Sequence, residues 1–288
     1  MTTVRIGDRL VGDGQPCLCV AEIGINANGS VDLAKQLITV AADAGCDAVK
    51  FQKRTVDVVY TPEELAKPRD SVFGTTNGDL KRGLEFGECE YRQIADHCAS
   101  EGIMWTASPW DVASVDFLER FGVPFYKIAS ASLTDTALLR RIVDIWWRPV
   151  VLSTGMSSPD EIHQAVNTLG AGRLVLLHCT SSYPTPPDET NLLAMSGLRA
   201  KYPFPIGFSS HEQGTAITLA AVALGACVIE RHITLDRTLW GSDQSVSLEP
   251  DELCDLVLSI RTIEAAMGDG IKTVYGSEIP IREKLRRV

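Results

Sequence analysis

The chain has 288 residues, 45% of them hydrophobic, and a formal net charge of −10 at pH 7. It is long enough to bury one large core, its acidic balance argues against a general binder of nucleic acid or anionic membranes, and no apolar run reaches the roughly 18 residues that a membrane span needs. Because the start of the chain lacks the apolar core of a signal peptide and the eight cysteines form no CxxC pair, we expect a cytoplasmic protein with reduced thiols.

Strand-like and helix-like segments alternate along the chain. The strand-like segments are 17–23, 47–52, 103–108, 124–130, 149–154, 173–180, 205–210 and 227–233. The helix-like segments that follow them are 30–45, 90–102, 111–122, 134–147, 158–170, 191–202, 214–226 and 250–268. We expect Ser30, Thr134 and Ser158 to cap their helices. The strand-like segments are rich in Val, Ile, Leu and Phe without strict polar alternation, which is typical of strands covered on both faces.

Eight βα units over about 250 residues predict an α/β fold of the (β/α)8 TIM-barrel type, with a doubly wound open sheet as the alternative. We expect a single domain over 1–288, with the barrel at about 17–267 and a C-terminal tail at about 268–288. The segment at about 56–88 is too long for a simple βα loop, so it is predicted to be an inserted active-site loop or lid. A disordered surface excursion is the alternative for that segment.

Polar side chains recur at the C-terminal ends of the predicted strands, where the active site of a TIM barrel lies. These positions include Glu22, Lys50, Ser108, Lys127, Ser130, Ser153, Ser209, His211 and His232. Taken singly, each lysine could be a surface residue and each histidine a hydrogen-bonded core residue. Random placement would scatter such residues over both ends of the barrel, so their concentration at one end indicates a site.

In the stretches IGFSSHEQG and CVIERHITL, an apolar run leads to a histidine, His211 and His232 respectively. Adjacent barrel strands can bring two imidazoles close enough to bind one divalent ion, with positions left open for water or substrate. Asp243 follows the eighth strand, and Glu22 ends the first strand, which is next to the eighth in a closed barrel. We therefore expect a metal site in this sector.

Two lysines and several serines surround the same end of the barrel. Lys50 and Lys127 come from the second and fourth strands, and Ser130, Ser153 and Ser209 lie at neighbouring strand ends. Lysine supplies a point charge and serine a directed hydrogen bond, which together suit a phosphate or a carboxylate. The chain has neither a GxGxxG after a strand nor a GxxxxGK[ST], the fingerprints of nucleotide binding. These features predict a small phosphorylated substrate.

An ordered set of motifs carries a family resemblance. AEIGINANGS, DAVKFQ, YKIAS, LSTGM, LHCTSSYPTP, GFSSH, ERHITLD and WGSD occur in this order from about residue 17 to the C-terminus. In these motifs the chain resembles the sialic acid synthase family. The resemblance implies a TIM barrel that condenses phosphoenolpyruvate with an N-acetylmannosamine-like or other small aldose, giving a sialic acid-type product and phosphate. It also implies a divalent metal cofactor, with Mn²⁺ favoured and Mg²⁺ or Co²⁺ as alternatives.

The resemblance assigns roles to positions of this sequence. It implies that the metal is bound by His211 and His232. The implied catalytic residues are Glu22, Asp243, Lys50 and Lys127. The implied substrate-binding residues include Ser130, Ser153 and Ser209 for phosphoenolpyruvate and Tyr183 near the sugar.

The departures from the family pattern lie on the side of the acceptor sugar. Ala27 stands where the family commonly has a histidine, Ser132 where it has a glutamate, and Ser181 where it has an asparagine. We take Ser132 and Ser181 as substrate-binding residues at those positions. Because the chain ends at EKLRRV, we expect the family's small C-terminal antifreeze-like domain to be absent.

The predicted function and the predicted role of the insertion each have alternatives, and the assembly is a separate expectation. A metal-dependent aldolase or epimerase of sugar phosphates needs no phosphoenolpyruvate, and a non-catalytic ligand-binding barrel needs no reaction at all. In the insertion, Asn77, Lys81 and Arg82 could recognise the acceptor or cover the barrel mouth, with a solvated charged loop as the alternative. The expected assembly is a homodimer through barrel faces, with no nucleic-acid or membrane partner.

Overall fold

The computed structural model of the chain describes residues 2–145, 148–170 and 172–287. Its strands are, in chain order, β1 (Thr3–Ile6), β2 (Arg9–Gly12), β3 (Leu18–Gly24), β4 (Ala48–Lys53), β5 (Pro68–Ser71), β6 (Gly74–Thr76), β7 (Met104–Pro109), β8 (Tyr126–Ile128), β9 (Val150–Ser153), β10 (Leu174–Cys179), β11 (Ile206–Ser210) and β12 (Val228–His232). Its α-helices are α1 (Val31–Asp43), α2 (Val56–Val59), α3 (Pro62–Leu65), α4 (Asn77–Leu84), α5 (Glu88–Glu101), α6 (Val112–Glu119), α7 (Thr136–Asp144), α8 (Pro159–Leu169), α9 (Ala194–Lys201), α10 (Ala216–Ala223), α11 (Pro250–Met267) and α12 (Ile279–Leu285). Within the described residues, no helix is both long and apolar enough to cross a membrane.

Eight parallel strands form a barrel. Their hydrogen-bonded order is β7-β4-β3-β12-β11-β10-β9-β8, so the first barrel strand, β3, lies between the second, β4, and the eighth, β12. At the two ends of this order, the Thr106 hydroxyl on β7 donates to the Phe125 carbonyl beside β8 at 2.7 Å. Consecutive barrel strands are thus neighbours around the whole ring, which confirms the predicted (β/α)8 barrel and excludes the open doubly wound sheet.

The predicted strands and helices agree with the observed ones to within a few residues, and the helix caps test the prediction more finely. The side chains of Ser30 and Ser158 each accept a hydrogen bond from the first turn of their helix, as N-caps do. The expectation for Thr134 is wrong, because α7 starts one residue later and the Asp135 carboxylate is its cap. The last two residues of the helix predicted at 134–147, and the last residue of the predicted tail, lie outside the described residues.

A hairpin that was not predicted closes the N-terminal end of the barrel. Strands β1 and β2 pair in antiparallel fashion. Their side chains Val4, Ile6 and Val11 are buried in one apolar cluster with residues at the starts of barrel strands, among them Leu18 and Val228. A separate and larger apolar cluster lies between the strands and the surrounding helices. The barrel interior is therefore packed at the N-terminal end, and its polar residues lie at the other end.

The 56–88 insertion is folded rather than a disordered excursion. It consists of two short helices, α2 and α3, the hairpin β5–β6 and helix α4. Beside that hairpin, the rings of Phe73 and Trp240 meet edge to face with 6.0 Å between their centroids, which holds the insertion against the loop after β12. Helix α4 lies against the loop after β3, where a Cβ added to Gly29 would stand 2.2 Å from the Gly83 carbonyl oxygen. The insertion therefore lies over the C-terminal end of the barrel.

Candidate active site

A buried ion-pair cluster occupies the C-terminal end of the barrel. The Lys50 Nζ on β4 lies 2.6 Å from Glu22 Oε2 on β3 and 3.7 Å from Glu230 Oε1 on β12. It also donates to the Ser108 hydroxyl on β7 at 3.1 Å. All four residues are buried. Since buried charges must be compensated within the protein, these side chains form one electrostatic unit.

Lys127 on β8 belongs to the same cluster. Its ammonium donates to Ser153 Oγ at 2.7 Å and lies 3.5 Å from Glu230 Oε1. The Ser209 hydroxyl donates to the same carboxylate oxygen at 3.2 Å. Glu230 thus bridges both lysines, although it was not among the predicted site residues. A signal was available, because Glu230 precedes His232 by two residues and side chains two apart share one face of a strand.

Burial shifts the proton affinities of these groups. It raises the pKa of Glu22 to about 7, against the opposing effect of Lys50. Burial lowers the pKa of Lys127, and the Glu230 carboxylate only partly offsets this. For Lys50 burial also acts downward, but Glu22 and Glu230 outweigh it and raise the pKa above its usual value. The cluster therefore keeps a charged lysine beside a carboxyl group that can exchange a proton near neutral pH.

Two imidazoles lie beside this cluster. His232 ends β12, His211 follows β11, and their ring centroids are 5.4 Å apart. Burial lowers the pKa of each to about 4, so both rings are neutral at pH 7. The Nδ1 of His211 donates to the Thr180 carbonyl at 3.0 Å, which leaves Nε2 with its electron pair. Among the described residues, the buried Nδ1 of His232 has no hydrogen-bond partner, and it lies 3.9 Å from Asp243 Oδ2.

This pair of side chains fits a divalent cation. Neutral imidazole is a common ligand of Zn²⁺, Mn²⁺ and Co²⁺, and a buried ring nitrogen without a partner calls for one. Across residues 2–145, 148–170 and 172–287, no three His, Cys, Asp or Glu side chains are gathered as a metal-binding group. His211 and His232 would therefore supply two ligands, and water or substrate would fill the other positions.

Tyr183, Ser130 and Ser181 lie on loops around the cluster. The Tyr183 ring packs on His211 at a centroid distance of 4.0 Å and is 52% exposed, so it stands at the rim. The Gly155 N–H donates to Ser130 Oγ at 3.0 Å, and a Cβ added to Gly155 would stand 2.3 Å from Ser181 Oγ. The loops after β8, β9 and β10 therefore converge at this point of the rim.

A cavity of about 820 Å³ lies between the insertion and the loop after β12. Its lining includes Lys81, as well as Arg69, Trp240 and Ser242. The Ser242 hydroxyl donates to Asp243 Oδ1 at 2.7 Å, and this carboxylate is the one that faces His232. The cavity is thus connected to His232 through Ser242 and Asp243, and Lys81 is the predicted insertion residue that lines it.

Three other predicted residues lie elsewhere. Arg82 forms an ion pair with Asp57 inside the insertion. The Asn77 amide donates to the Glu64 carbonyl at 3.1 Å, also inside the insertion. Ser132 is buried beside a separate cavity of about 690 Å³. The structure thus brings Glu22, Lys50, Lys127, Ser153, Ser209, His211, His232, Asp243 and Tyr183 together, and it places Asn77, Arg82 and Ser132 outside that set.

The chain is similar to known proteins along almost its whole length. The model of the NeuB family matches residues 37–272. Human N-acetylneuraminate-9-phosphate synthase is 42% identical over 283 residues, which cover 96% of this chain and 78% of the human protein. The N,N'-diacetyllegionaminic acid synthase of Campylobacter jejuni is 41% identical over 269 residues, which cover 91% of this chain and 80% of that enzyme. The crystal structure of N-acetylneuraminic acid (sialic acid) synthetase from Leptospira borgpetersenii, in complex with citrate, matches with a TM-score of 0.87 and 35% identity over 100% of this chain and 98% of that one.

Proposed function

Because the chain belongs to the NeuB family, we propose that it condenses phosphoenolpyruvate with a sugar aldehyde to form a 2-keto-3-deoxy sugar acid and phosphate. One observation carries this proposal: two buried ammonium groups, of Lys50 and Lys127, lie beside a pair of neutral imidazoles. His232 is directly opposite Glu22 on the neighbouring strand, and Glu22 contacts Lys50. A phosphate and a carboxylate require positively charged partners such as these ammonium groups. A carbonyl group that is to be attacked requires a Lewis acid, which the two imidazoles would hold next to them.

The lysine and serine side chains would bind the donor. Lys127 already points at Ser153, and Ser209 at the carboxylate that Lys127 shares with Lys50. An anionic donor would compete with Glu230 for these ammonium groups, because each lysine gains more from a doubly charged phosphate than from one carboxylate. Ser130, on the next loop, would add a further hydroxyl donor.

The chemistry requires an activated aldehyde and a base. A divalent cation held by His211 and His232, with Mn²⁺ first and Mg²⁺ or Co²⁺ as alternatives, would polarise the aldehyde oxygen. C3 of phosphoenolpyruvate forms the new bond to the aldehyde carbon, whose oxygen takes up a proton. Water adds to C2, and the bond between C2 and the phosphate-bearing oxygen breaks, so that phosphate leaves with the electron pair of that bond. The C2 hydroxyl loses its remaining proton to become the keto group, and the two protons of the water end on the new hydroxyl group and on phosphate. Glu22 or Asp243 takes the proton from that water, and a pKa of about 7 suits Glu22 to this role.

The acceptor would lie between Tyr183 and the cavity beside the insertion. An N-acetylmannosamine-like aldose is the expected class, and the name of the human relative describes a phosphorylated product. Arg69 and Lys81 bring two positive charges to the cavity against one carboxylate, Asp70, and Trp240 offers a ring that can pack on a sugar. A phosphorylated aldose is therefore the first acceptor to test, and its neutral form the second.

The test is phosphate release from phosphoenolpyruvate. We expect release only when an aldose and a divalent ion are both present, with the phosphorylated and neutral forms of N-acetylmannosamine compared under Mn²⁺, Mg²⁺ and Co²⁺. Absence of phosphate with a broad aldose panel and all three ions would overturn the proposal. Phosphoenolpyruvate alone at 100 times its Kd should stabilise the fold by roughly 2.7 kcal/mol, which an aldolase or epimerase of sugar phosphates would not show.

The His232→Ala variant tests the metal ligands separately. It removes one imidazole without opening the packed N-terminal part of the barrel, so we expect loss of Mn²⁺ binding in calorimetric titration and an unchanged circular dichroism spectrum. A variant that keeps full Mn²⁺ affinity would contradict the ligand assignment.

A further inference from the structure

Arg231 and Glu212 form an ion pair that the proposed reaction does not use. Arg231 lies between Glu230 and His232 on β12, so the two-residue period of a strand turns its side chain to the opposite face, toward the helices. Its side chain is fully buried, and Nη1 lies 3.2 Å from Glu212 Oε1. Nη1 also donates to the Thr218 hydroxyl at 2.8 Å, and Nη2 donates to the Glu212 carbonyl at 2.9 Å.

Each partner of this ion pair is next in the chain to one of the two imidazoles. Glu212 follows His211, and Arg231 precedes His232. The hydrogen-bonded register between β11 and β12 ends at the pair Ser210 and Arg231, so His211 lies one residue beyond the last strand pair. Beyond the last strand pair, the ion pair of Glu212 with Arg231 connects the chain after β11 to β12. It therefore restrains the position of one imidazole relative to the other from the outer face of the sheet.

Stability is a poor explanation for this ion pair. A buried ion pair is often no more stabilising than apolar residues of the same volume, because both charges lose their hydration. Among the described residues, Glu212 Oε2 and Arg231 Nε have no hydrogen-bond partner, so the pair is not even fully satisfied. Two ligands of one cation, in contrast, need a fixed separation, and groups that orient metal ligands supply it.

We propose that the Glu212–Arg231 ion pair is a positioning clamp that sets the separation of His211 and His232 for cation binding. The proposal rests on the proposed function in one respect, namely that these imidazoles hold the cation. Thr218 completes the clamp, because its hydroxyl donates to Glu212 Oε1 at 2.7 Å and holds the carboxylate toward the guanidinium. The clamp acts from behind the strands and contacts neither donor nor acceptor.

The test is the Mn²⁺ affinity of metal-free protein, measured by calorimetric titration in the double variant Glu212→Leu/Arg231→Met. This variant removes both charges and roughly keeps the volume, so it should fold with a Tm close to that of the wild type. Its Mn²⁺ affinity should fall by about 10- to 100-fold, the usual effect of removing groups that orient metal ligands.

The matched control is Glu119→Leu/Arg148→Met. It removes an ion pair at the other end of the barrel, where Arg148 Nε lies 3.0 Å from Glu119 Oε1. This control should leave the Mn²⁺ affinity unchanged. It separates the effect of the clamp from that of losing an ion pair anywhere in the barrel.

The outcomes distinguish failure of the proposed clamp from failure of the proposed metal site. Wild-type Mn²⁺ affinity in a folded double variant overturns the clamp and leaves the proposed function standing, whereas undiminished affinity in His232→Ala removes the metal site itself. If the double variant does not fold, Arg231→Lys is the second test, because lysine keeps the charge but lacks the planar fork that reaches Glu212 and Thr218 together. Wild-type affinity in folded Arg231→Lys overturns the clamp. Failure of both variants to fold, while the control folds, assigns the pair a structural role and overturns the clamp as well.

Discussion

The buried Glu22 carboxyl sets an expected pH dependence of catalysis. Burial raises its pKa to about 7, so the carboxylate forms only as the pH passes through neutrality. We expect kcat/KM to rise with pH through this range, because only the carboxylate can take a proton from water. A pH profile of phosphate release measures this rise. The Glu22→Gln variant should lose the rise along with about 100-fold or more of the activity.

The same carboxyl has the opposite effect on stability. Its folded-state pKa lies above the ordinary value of 4.5, so the folded protein binds this proton more tightly than the unfolded chain does. The resulting stabilisation is complete below pH 4.5 and is lost as the pH rises through about 7. The Tm of the wild type should therefore fall relative to that of Glu22→Gln over this range. A constant difference in Tm would contradict the raised pKa.

Glu230 shows how far single residues can be predicted from sequence. An apolar run stops at each strand end, and this pattern predicts Glu22, Lys50, Lys127, His211 and His232 as site residues. Glu230 lies inside the end of β12, where a carboxylate, a guanidinium and an imidazole follow one another. Because side chains two apart share one face of a strand, the prediction that His232 faces the site extends to Glu230, although no apolar run ends there. The contacts of Glu230 with both lysines depend on the assembled barrel, in which β12 lies beside β3 with His232 opposite Glu22.

At the scale of elements, the Phe73 ring lies between helix α4 and the loop after β12. A Cβ added to Gly83 in α4 would stand 2.1 Å from Cγ of Phe73. Alanine ordinarily stabilises a helix by about 1 kcal/mol relative to glycine, but here it must displace the Phe73 ring, which also contacts Trp240. We expect Gly83→Ala to raise the acceptor KM and to speed tryptic cleavage of the β5–β6 hairpin, with the affinity for phosphoenolpyruvate unchanged.

Gly197→Ala in α9 is the matched control for this prediction. Gly197 is also helical, and among the described residues no atom beyond its chain neighbours and the backbone of its own helix lies within 4 Å of its added Cβ. The control should therefore gain about 1 kcal/mol of stability and keep the acceptor KM. If Gly83→Ala resists trypsin as well as this control does, the contact with Phe73 does not hold the insertion in place.

The βα units could be predicted because each carries its own signals. An apolar run, a cap such as Ser158 and an amphipathic stretch lie within about 20 to 30 residues of one another in each unit. The insertion has helix caps at Thr61 and Thr76 but no apolar run of strand length beside them. Its position depends on the contact between Phe73 and Trp240, which are far apart in the chain. Its helices and its hairpin were therefore visible only as a long polar segment.

At the scale of the whole molecule, the hairpin that stabilises the fold and the residues of the candidate active site lie at opposite ends of the barrel. Ile6 in the N-terminal hairpin is fully buried, and replacing it with alanine should lower the free energy of unfolding by about 2–5 kcal/mol. Denaturant titration measures this loss, and the affinities for Mn²⁺ and phosphoenolpyruvate should not change. Leu258→Ala, at a side chain that is 65% exposed, is the control and should change stability by about 0.5 kcal/mol or less. A weakened ligand affinity in Ile6→Ala would contradict the separation of the two ends.

The hairpin itself was not predicted, for a physical reason. Its strands are four residues each, TVRI and RLVG, and their apolar side chains are too few to indicate a buried element. Only the closed ring of strands creates an open end that these side chains can fill. Local sequence thus predicted the ring, and the ring in turn explains the hairpin.

The closed N-terminal end also has a kinetic consequence. In the part of the chain that the structure describes, the hairpin fills the N-terminal end of the barrel, so ligands would reach the interior from the C-terminal end. Lys50 and Lys127 are 3% and 2% exposed, whereas Tyr183 at the rim is 52% exposed, so phosphoenolpyruvate would occupy the bottom and the sugar the top. A sugar that entered first would block this route to the lysines. Turnover would then follow a compulsory order in which phosphoenolpyruvate enters before the aldose, and the sugar acid departs before phosphate can escape.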